Sequence, residues 1–373
     1  MTNKLLKSVP FALALFAMTF GYSAYNSRAQ DKQQQDSMGY DQGHAVDENE
    51  MMSAYNSPAR IDVTGAWDFF LSGSFIFWQP KMQELQIGLR EAAAPGSQSL
   101  VNGDVVDYSY KFKPGFKVAL GMNFDHDNWD LMAEYTWLYA NNSKTVTPLL
   151  ASRGIYPLWR SHQTNSQHTT VNRANGQWDL HMHLFDLELA RCFYVGTKLT
   201  FRPHFGLRGS IMDSKVKASY GDSESGSTAT TTVDQDTWSV GLRAGLDASY
   251  MLGAGFRIAG AAAFSLAYQD FNVKLKEENY YNPSTLWAYY KHDYGFITPN
   301  PELRLGLGYG TYFADNAWHF DLEATYDFQV FFNQNMMRNL FEKTANVPNN
   351  TQNSGSSGDL FLQGLTVTLR FDF

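Results

Sequence analysis

The sequence predicts an all-β protein: a closed antiparallel transmembrane β-barrel of about 10 strands, with 12 as the alternative count. Apolar and polar side chains alternate along many successive segments, which is typical of strands with one apolar and one polar face. Short and long connections alternate between these segments. The last segment runs in the same pattern to Phe373, with Phe361, Leu365 and Phe371 on its apolar face. Together these features favour a barrel over any helical fold.

The bulk composition fits strands that face lipid on one side. The chain has 373 residues, 15% aromatic and 18% charged residues, a mean hydropathy of −0.36 and a net charge of −8. After the N-terminus, no apolar run approaches the roughly 20 residues of a membrane helix. There is no basic stripe, so we expect no nucleic-acid partner. Cys192 is the one cysteine, which excludes an internal disulfide framework.

The N-terminus has the pattern of a signal peptide. Lys4 and Lys7 precede an apolar run at 9–20, and Ser27 and Ala29 have the small-x-small spacing of a cleavage site. Cleavage near positions 23–24 is the alternative. We therefore predict export of the protein from the cytoplasm.

Three segments follow from this pattern. Residues 1–29 are the predicted signal peptide. Residues 30–58 are rich in Gln, Asp and Ser without periodicity, and we expect a disordered polar linker. Residues 59–373 form the predicted outer-membrane β-barrel.

The first three predicted strands are defined by whether their apolar residues fall on odd or on even positions, which we call the phase of the strand. The first, 67–77, has apolar residues at odd positions, the second, 108–124, at even positions, and the third, 129–139, again at odd positions. The short sequence at 125–128, Asp-His-Asp-Asn, joins the second and third strands. Such a turn between two alternating segments predicts a β-hairpin.

The next two strands each contain an irregularity. The fourth, 178–193, begins with Trp178 in the even phase and changes to the odd phase at Phe185, which predicts a β-bulge near Leu184. The fifth, 199–211, carries Pro203. Since proline has no ladder donor, we expect this strand to be irregular.

The remaining strands are regular. They are predicted at 238–250, 256–268, 303–309, 318–330 and 358–373. We predict long loops at 141–176, 213–236 and 272–299. The sequence FFNQNMMRNLFEK, which begins the last loop, could form a short amphipathic helix.

The order of the connections indicates the orientation. Short turns fall near residues 125, 196, 253 and 315, and long loops follow the odd-numbered strands. In outer-membrane barrels the short turns are periplasmic, so an even strand number places both termini in the periplasm. Aromatic residues near strand ends, including Trp78, Trp178, Trp238 and Trp318, predict the two interfacial girdles. The alternative, a soluble β-sandwich, usually has shorter strands.

Charged residues collect on the polar, inward phase. We predict that the following line the pore: Lys117, Glu134, Glu188, Arg202, Arg208, Arg243, Arg257, Arg304, Asp321, Glu323, Asp327 and Arg370. They could surround an aqueous lumen and set its ion preference. A packed, salt-bridged interior is equally compatible with the sequence. The basic residues of the fifth to seventh strands and the acidic residues of the ninth are predicted to form opposed walls.

Two other residue groups were considered for chemistry. His181 and His183 share a strand face, but spacing fixes no acidic or cysteine partner, so we expect no metal and no cofactor. Ser161, His162 and Asp236 have residue types that a hydrolase uses. Nothing in their spacing specifies a site, and we expect no enzymatic activity.

Two strand-turn-strand segments carry a family resemblance. PGFKVALGMNFDHDNWDLMAEYTWL and FDLELARCFYVGTKLTFRPHFGLRG, with the aromatic-ended last strand, resemble the pore-forming major-outer-membrane-protein-like barrels of Legionella and environmental chlamydiae, over most of 64–373. The major outer-membrane proteins of pathogenic chlamydiae are cysteine-rich and cross-linked. This chain has only Cys192, so we do not expect cross-linking.

The resemblance implies a porin-like protein of a Gram-negative outer membrane. It would form a passive diffusion pore for ions and small hydrophilic solutes. Its other expected partners are outer-membrane lipid and the barrel-insertion machinery, which would read Phe371 and Phe373 as an assembly signal. An adhesin or structural surface barrel acting through its long loops is the alternative, and homo-oligomerisation stays open.

Overall fold

The computed structural model describes residues 59–64, 68–92, 103–124, 128–149, 153–160, 171–221, 228–278, 284–345 and 356–373. Within these ranges the chain forms fourteen strands and one helix. The predicted signal peptide and polar linker lie outside the described residues. No helix in the described part of the chain has the length and hydropathy of a transmembrane helix.

The strands follow one another with few interruptions. They are β1 (Phe69–Met82), β2 (Gly88–Ala92), β3 (Asp104–Val106), β4 (Lys113–Asn123), β5 (Trp129–Val146), β6 (Gly154–Pro157), β7 (Arg173–Arg191), β8 (Phe193–Val195), β9 (Leu199–Gly221), β10 (Thr228–Gly253), β11 (Phe256–Glu278), β12 (Leu286–Phe313), β13 (Trp318–Asn335) and β14 (Gly358–Asp372). The helix α1 spans Met337–Ala345 and confirms the predicted short helix.

Ten long strands close into an antiparallel barrel. Their order around the barrel is β1-β4-β5-β7-β9-β10-β11-β12-β13-β14. The barrel closes where β14 pairs with β1, with Phe70 opposite Asp372. A closed barrel pairs all its strand edges. The hydrocarbon core of a membrane requires this, because it offers the backbone no other hydrogen-bond partners. The predicted fold class and the count of 10 strands are confirmed, and β8 is a short additional strand beside β9.

Tight turns join the strands at one rim. Glycines with positive φ supply the turns at Gly196 (φ 87°) and at Gly253 and Gly255 (φ 114° and 82°). Asn316, with φ 63°, lies in the turn between β12 and β13. Glycine and asparagine tolerate this left-handed conformation better than other residues. The predicted turn at 125–128 lies largely outside the described residues.

The polarity of the two barrel faces inverts along the strands. Toward the short turns, large apolar residues face outward, as with Leu242 (71% exposed) and Leu305 (65%). Toward the opposite rim, apolar residues of the same strands face inward and are buried. This inversion places a lipid-facing belt on the short-turn half and an apolar core inside the other half.

The inversion corrects the prediction of a bulge near Leu184. β7 pairs with β5 and β9 without any register shift, so the strand is regular. Trp178 and Leu184 point into the core, whereas Phe185 points outward. The apolar phase changes because the strand passes from the core-forming half to the lipid-facing half.

Pro203 also sits in a regular strand. It stands opposite Leu246 on β10 without a register shift, so the expected irregularity is wrong. The pairing between β7 and β9 ends next to it, at Ala190 opposite His204. The missing proline N–H therefore interrupts no ladder on that side.

Much of the predicted loop length is strand. β9 continues to Gly221 and β10 begins at Thr228, so most of 213–236 is paired. β11 and β12 likewise extend through most of 272–299. Conversely, β4 begins at Lys113, so Tyr108 and Tyr110 precede the strand predicted to contain them. The outer residues of these extensions are polar and face water, while their inward residues join the core. A prediction that expects apolar residues on the outer, lipid-facing side therefore misses these parts of the strands.

An apolar plug fills the half of the barrel away from the short turns. The plug consists of α1, the small sheet β2–β3–β6 and the segments beside them. Trp159 and Met337 are fully buried in it. Tyr220, on the inner face of β9, donates a 2.6 Å hydrogen bond to the carbonyl of Ile87. These contacts attach the plug to the barrel wall.

The aromatic girdle is confirmed only in part. Trp238 and Trp318 are 49% and 43% exposed on the outer face. Trp78 and Trp178 are instead buried inside the barrel. Their indole N–H groups donate to Thr366 and Ser214 respectively, so these two residues belong to the interior.

Candidate functional site

The membrane-spanning half of the barrel encloses a charged interior with a cavity of about 70 Å³. Inward positions of the antiparallel strands bring together residues that are far apart in sequence. The charged and histidine residues that line the cavity are Lys117, Glu134, Glu188, His204, Arg208, Arg243, Asp247, Glu302, Arg304 and Asp327. Seven of the ten strands therefore contribute charged or histidine residues to one polar centre.

Arg208 is bonded through all three nitrogens of its guanidinium group. Its Nε and one terminal nitrogen donate to the two carboxylate oxygens of Asp186, both at 2.6 Å. Its other terminal nitrogen donates to Asn300 Oδ1 at 2.7 Å and contacts Glu302. Arg208 and Asp186 side chains are 5% and 3% exposed, so the pair is buried. A planar guanidinium fits such bidentate contacts.

A second group surrounds Arg202. Its guanidinium donates to Asp130 through two nitrogens, at 3.1 and 2.5 Å, and to Asp247 at 2.9 Å. Arg304 donates to the same Asp247 at 3.3 Å. Asp247 therefore joins the guanidinium groups of β9 and β12 across the lumen.

Arg243 connects these two groups. Its Nε donates to Glu188 at 3.0 Å, and a terminal nitrogen lies 2.8 Å from Glu302. Glu188 also lies 3.7 Å from Arg202, and Glu302 contacts Arg208. The charges thus form one connected network.

Smaller contacts complete the interior. Lys117 lies 3.3 Å from Glu134. Asp327 accepts hydrogen bonds from Thr325 and Thr366, both at 2.7 Å. Toward the short turns, separate groups form between Arg257 and the acidic pair Asp321 and Glu323, and between Arg370 and Asp372. All the predicted pore-lining residues therefore lie inside the barrel, and their role in lining a pore stays a prediction.

The predicted separation into basic and acidic walls is wrong. Arg257 of β11 contacts Asp321 and Glu323 of β13 directly. Arg202 and Arg208 likewise have carboxylate partners. Adjacent opposite charges cancel much of the field at a distance. The interior is a network of ion pairs, as in the packed alternative.

Several members of the centre were absent from the predicted set. The His204 side chain is 2% exposed, with Nδ1 3.6 Å from Glu188 Oε1. Asn300 holds Arg208 and donates to the carbonyl of Val330 at 2.6 Å. Position 300 directly follows the predicted loop at 272–299, so the strand pattern does not include it. The sequence signal for Asn300 is its even-numbered position, which it shares with the inward-facing Glu302 and Arg304.

The residues considered for other chemistry lie elsewhere. His181 and His183 lie on the outer face of β7, and His183 Nδ1 is 2.8 Å from the Tyr135 hydroxyl. Asp236 lies on the outer face of β10, 3.2 Å from Lys274. Ser161 and His162 lie outside the described residues. Within the described ranges, no cluster of three His, Cys, Asp or Glu residues could hold a metal ion.

Comparison with known proteins identifies the family. The family model described as Legionella pneumophila major outer membrane protein precursor matches residues 62–373. The chain belongs to the Legionella major outer membrane protein family. The resemblance of the sequence segments is thereby confirmed, as is localisation to the outer membrane of a Gram-negative bacterium. Members of this family are outer-membrane proteins, and no curated protein matches the chain.

Solved outer-membrane barrels resemble this family member in fold alone. The outer membrane protease OmpT from Escherichia coli is 13% identical, with a TM-score of 0.42, covering 84% of this chain and 99% of OmpT. The Pseudomonas putida toluene transporter TodX is 10% identical, with a TM-score of 0.32, covering 82% and 89%. A Pseudomonas aeruginosa FadL homologue is 7% identical, with a TM-score of 0.26, covering 82% and 89%.

Proposed function

We propose that this barrel is a porin-like channel for ions and small hydrophilic solutes, closed at its loop end in the state described. The observation that carries the proposal is the charged, cavity-containing interior of the membrane-spanning half. Ionisable residues at membrane depth are expensive to bury, and they commonly mark ion pathways. A barrel that served only as a scaffold could fill this space with apolar side chains.

The dimensions limit what could pass. A cavity of about 70 Å³ holds about two water molecules, since the share of each in liquid water is about 30 Å³. Ions with part of their hydration shell fit such a space better than sugars or peptides do. We therefore propose a small conductance rather than that of a wide diffusion pore.

Passage also requires the apolar plug to move. Trp159 packs against Phe341 of α1 in a tilted arrangement with ring centroids 5.4 Å apart, and its indole N–H donates to the carbonyl of Gln86 at 2.8 Å. Arg338 of α1 lies over the same indole, 5.4 Å from the ring centroid. Trp159 thus joins the helix to the small-sheet part of the plug, and its truncation should loosen the closed end.

Planar-bilayer conductance tests this function. Wild type and Trp159→Ala are refolded, and heat-modifiable gel mobility verifies the folded barrel. We expect small, salt-proportional steps in wild type and a higher open probability in Trp159→Ala. If folded preparations of both proteins never conduct, the channel proposal is wrong.

Ion preference provides a second readout. Arg304 has the most exposed of the interior guanidinium groups named above, at 38%. Arg304→Gln should shift the reversal potential toward cation preference. Lys215→Gln, which removes a charge from the outer face, is the matched control and should leave the reversal potential unchanged.

We also infer that the protein is not an enzyme. Asp236, considered with Ser161 and His162, faces outward and is bound to Lys274. Incubation of the folded barrel with a peptide library and with fluorogenic esters tests this inference. Turnover above that of a heat-unfolded sample would contradict it.

A structural surface barrel or adhesin is the second candidate. It is favoured by the apolar plug and by the strand extensions beyond the lipid-facing belt, which present a rigid polar surface. Replacing 222–227 and 279–283 with short Gly-Ser linkers discriminates the two. An adhesin would lose cell binding while the barrel still inserts, whereas a channel would mainly change its conductance.

A further inference from the structure

A group of lysines occupies the outer face of the strand extensions. The lysine face consists of Lys215 and Lys217 on β9, Lys274 and Lys276 on β11, and Lys291 on β12. These residues alternate with inward core residues such as Val216 and Leu275, so their side chains leave the barrel on its outer side. None of them is used by the interior network.

The strand register arranges these lysines in two adjacent rows. One row reads Asp179, Lys215, Asp234, Lys274 and Lys291 from β7 to β12. In the next row Thr232 stands between Lys217 and Lys276. Neighbouring strands lie about 4.8 Å apart, so the backbones of Lys217 and Lys276 are separated by about 10 Å.

The two rows differ in their carboxylates. Lys215, Lys274 and Lys291 are paired with Asp234, Asp236 and Asp293, at 3.0, 3.2 and 3.6 Å. The other row reads Gln177, Lys217, Thr232, Lys276 and Tyr289 from β7 to β12, without a carboxylate. Within the described strands, Lys217 and Lys276 therefore face no carboxylate in their own row, and Glu278 lies two residues beyond Lys276 on the same outer face.

Neutral hydrogen-bonding groups lie beside Lys217. A surface cavity of about 100 Å³ beside Lys217 is lined by Asn175, Gln177 and Ser219. The amides and hydroxyl can bond to sugar hydroxyl groups, and the ammonium group to a phosphate oxygen. The combination fits a phosphorylated sugar better than a simple inorganic anion.

The position relative to the membrane identifies the occupant. Trp238 and Tyr268 are exposed at the upper edge of the lipid-facing belt. Thr232 lies six residues beyond Trp238 on β10, or about 20 Å along the strand and about 15 Å in height at a tilt of about 40°. The polar layer of an ordinary bilayer leaflet is only about 5–8 Å thick. A head group that reaches this row must therefore be larger than that of a simple phospholipid.

We propose that the lysine face binds the phosphate groups of a phosphorylated glycolipid in the membrane leaflet on the loop side, with Lys217 and Lys276 as the principal contacts. The acyl chains of this lipid pack on the apolar belt below. Its sugars lie against the β7–β9 surface around Gln177 and Ser219. Binding of this kind is independent of whether the barrel conducts.

Competition with a quenching lipid tests this site. The full-length protein is refolded into vesicles of brominated phosphatidylcholine, whose acyl chains quench lipid-exposed tryptophans such as Trp238. Lipopolysaccharide with a phosphorylated core oligosaccharide is then added, and relief of quenching gives its affinity relative to phosphatidylcholine. Each lysine near a membrane surface contributes about five-fold in affinity for anionic lipid.

We expect Lys217→Gln and Lys276→Gln each to lower this relative affinity about five-fold, and the double variant to lower it about twenty-five-fold. Lys81→Gln is the matched control. Lys81 is an exposed lysine on β1, five strands from β10 and thus on the opposite wall. It should retain the wild-type affinity.

Three outcomes would overturn the assignment. The first is an unchanged affinity in the folded double variant, and the second is an equal loss in Lys81→Gln. The third is displacement of the lipid by inorganic phosphate beyond the effect of sodium chloride at the same ionic strength. That result would identify a site for free phosphate instead of a glycolipid.

Discussion

Replacement of Arg208 by methionine tests the interior network most directly. Arg208→Met keeps an unbranched side chain but removes the guanidinium. Asp186 then loses both of its 2.6 Å hydrogen bonds, and Asn300 loses the donor at 2.7 Å. Glu302 keeps Arg243 as a partner at 2.8 Å. The perturbation therefore leaves one buried carboxylate, that of Asp186, without its guanidinium.

The burial of the pair sets the size of the effect. Side-chain exposures of 5% and 3% mean that solvent screens this pair little. Breaking a buried ion pair by removing one partner costs about 3–5 kcal/mol, mostly because of the remaining charge. Lys215 and Asp234 form an exposed pair, with side chains 52% and 30% exposed. Breaking an exposed pair costs about 0–1 kcal/mol.

Urea unfolding in lipid vesicles measures both effects. Tryptophan fluorescence and heat-modifiable mobility follow the fraction folded of wild type, Arg208→Met and Lys215→Met. We expect a loss of about 3–5 kcal/mol in Arg208→Met and of under about 1 kcal/mol in Lys215→Met. Arg208→Met combined with Asp186→Asn should recover part of the loss, since the uncompensated charge is gone. A loss below about 1 kcal/mol in Arg208→Met, or no recovery in the double variant, would refute the reasoning.

Three further expectations concern the plug, the final strand and pH. Trp159→Ala removes a fully buried indole and should lower the free energy of unfolding by about 3–5 kcal/mol, measured by urea titration; a surface-like loss under about 0.5 kcal/mol would contradict this. Phe371→Ser with Phe373→Ser should reduce insertion by the barrel-insertion machinery in cells while leaving refolding in detergent intact, and equal insertion would remove the proposed assembly signal. Burial alone would raise the pKa of Glu342, but hydrogen bonds from Ser356 and Arg338 outweigh it and hold this pKa below its ordinary value. A depressed folded-state pKa stabilises the protein above the unfolded-state pKa, and this contribution is lost as the pH falls through the folded-state value. The hydrogen-exchange protection factors of α1 should therefore fall in acid, and Glu342→Gln should weaken that pH dependence.

The alternation of side chains was sufficient to predict the barrel. A strand has a period of two regardless of its partners, so each of the ten long strands had a local signal. The turns at Gly196 and Gly253 were equally local, because glycine allows the φ values that they require. Alternating short and long connections then gave the strand order. The inward placement of Arg208, Arg243 and the other charged residues followed from the same period.

The inversion of polarity was misread for a physical reason. In one half of the barrel the alternation places apolar residues outward against lipid. In the other half it places them inward in a protein core. Trp178 and Phe185 are both apolar, and sequence alone does not say which one faces lipid. The change in which positions of β7 are apolar therefore resembles a bulge. The polar strand extensions beyond Ile211 and Tyr268 resemble loops.

The sequence by itself determined the strands, the short turns, the barrel and which charged residues of the spanning strands face its interior, because each depends on a local pattern. Only the tertiary structure decided which charges meet and what fills the loop end. Arg208 contacts Glu302, which lies 94 positions later in the sequence, and Trp159 contacts Phe341, which lies 182 positions later. Such contacts depend on the register and closure of all ten strands. The same register brings Lys217 and Lys276 to either side of Thr232, which no single strand could reveal.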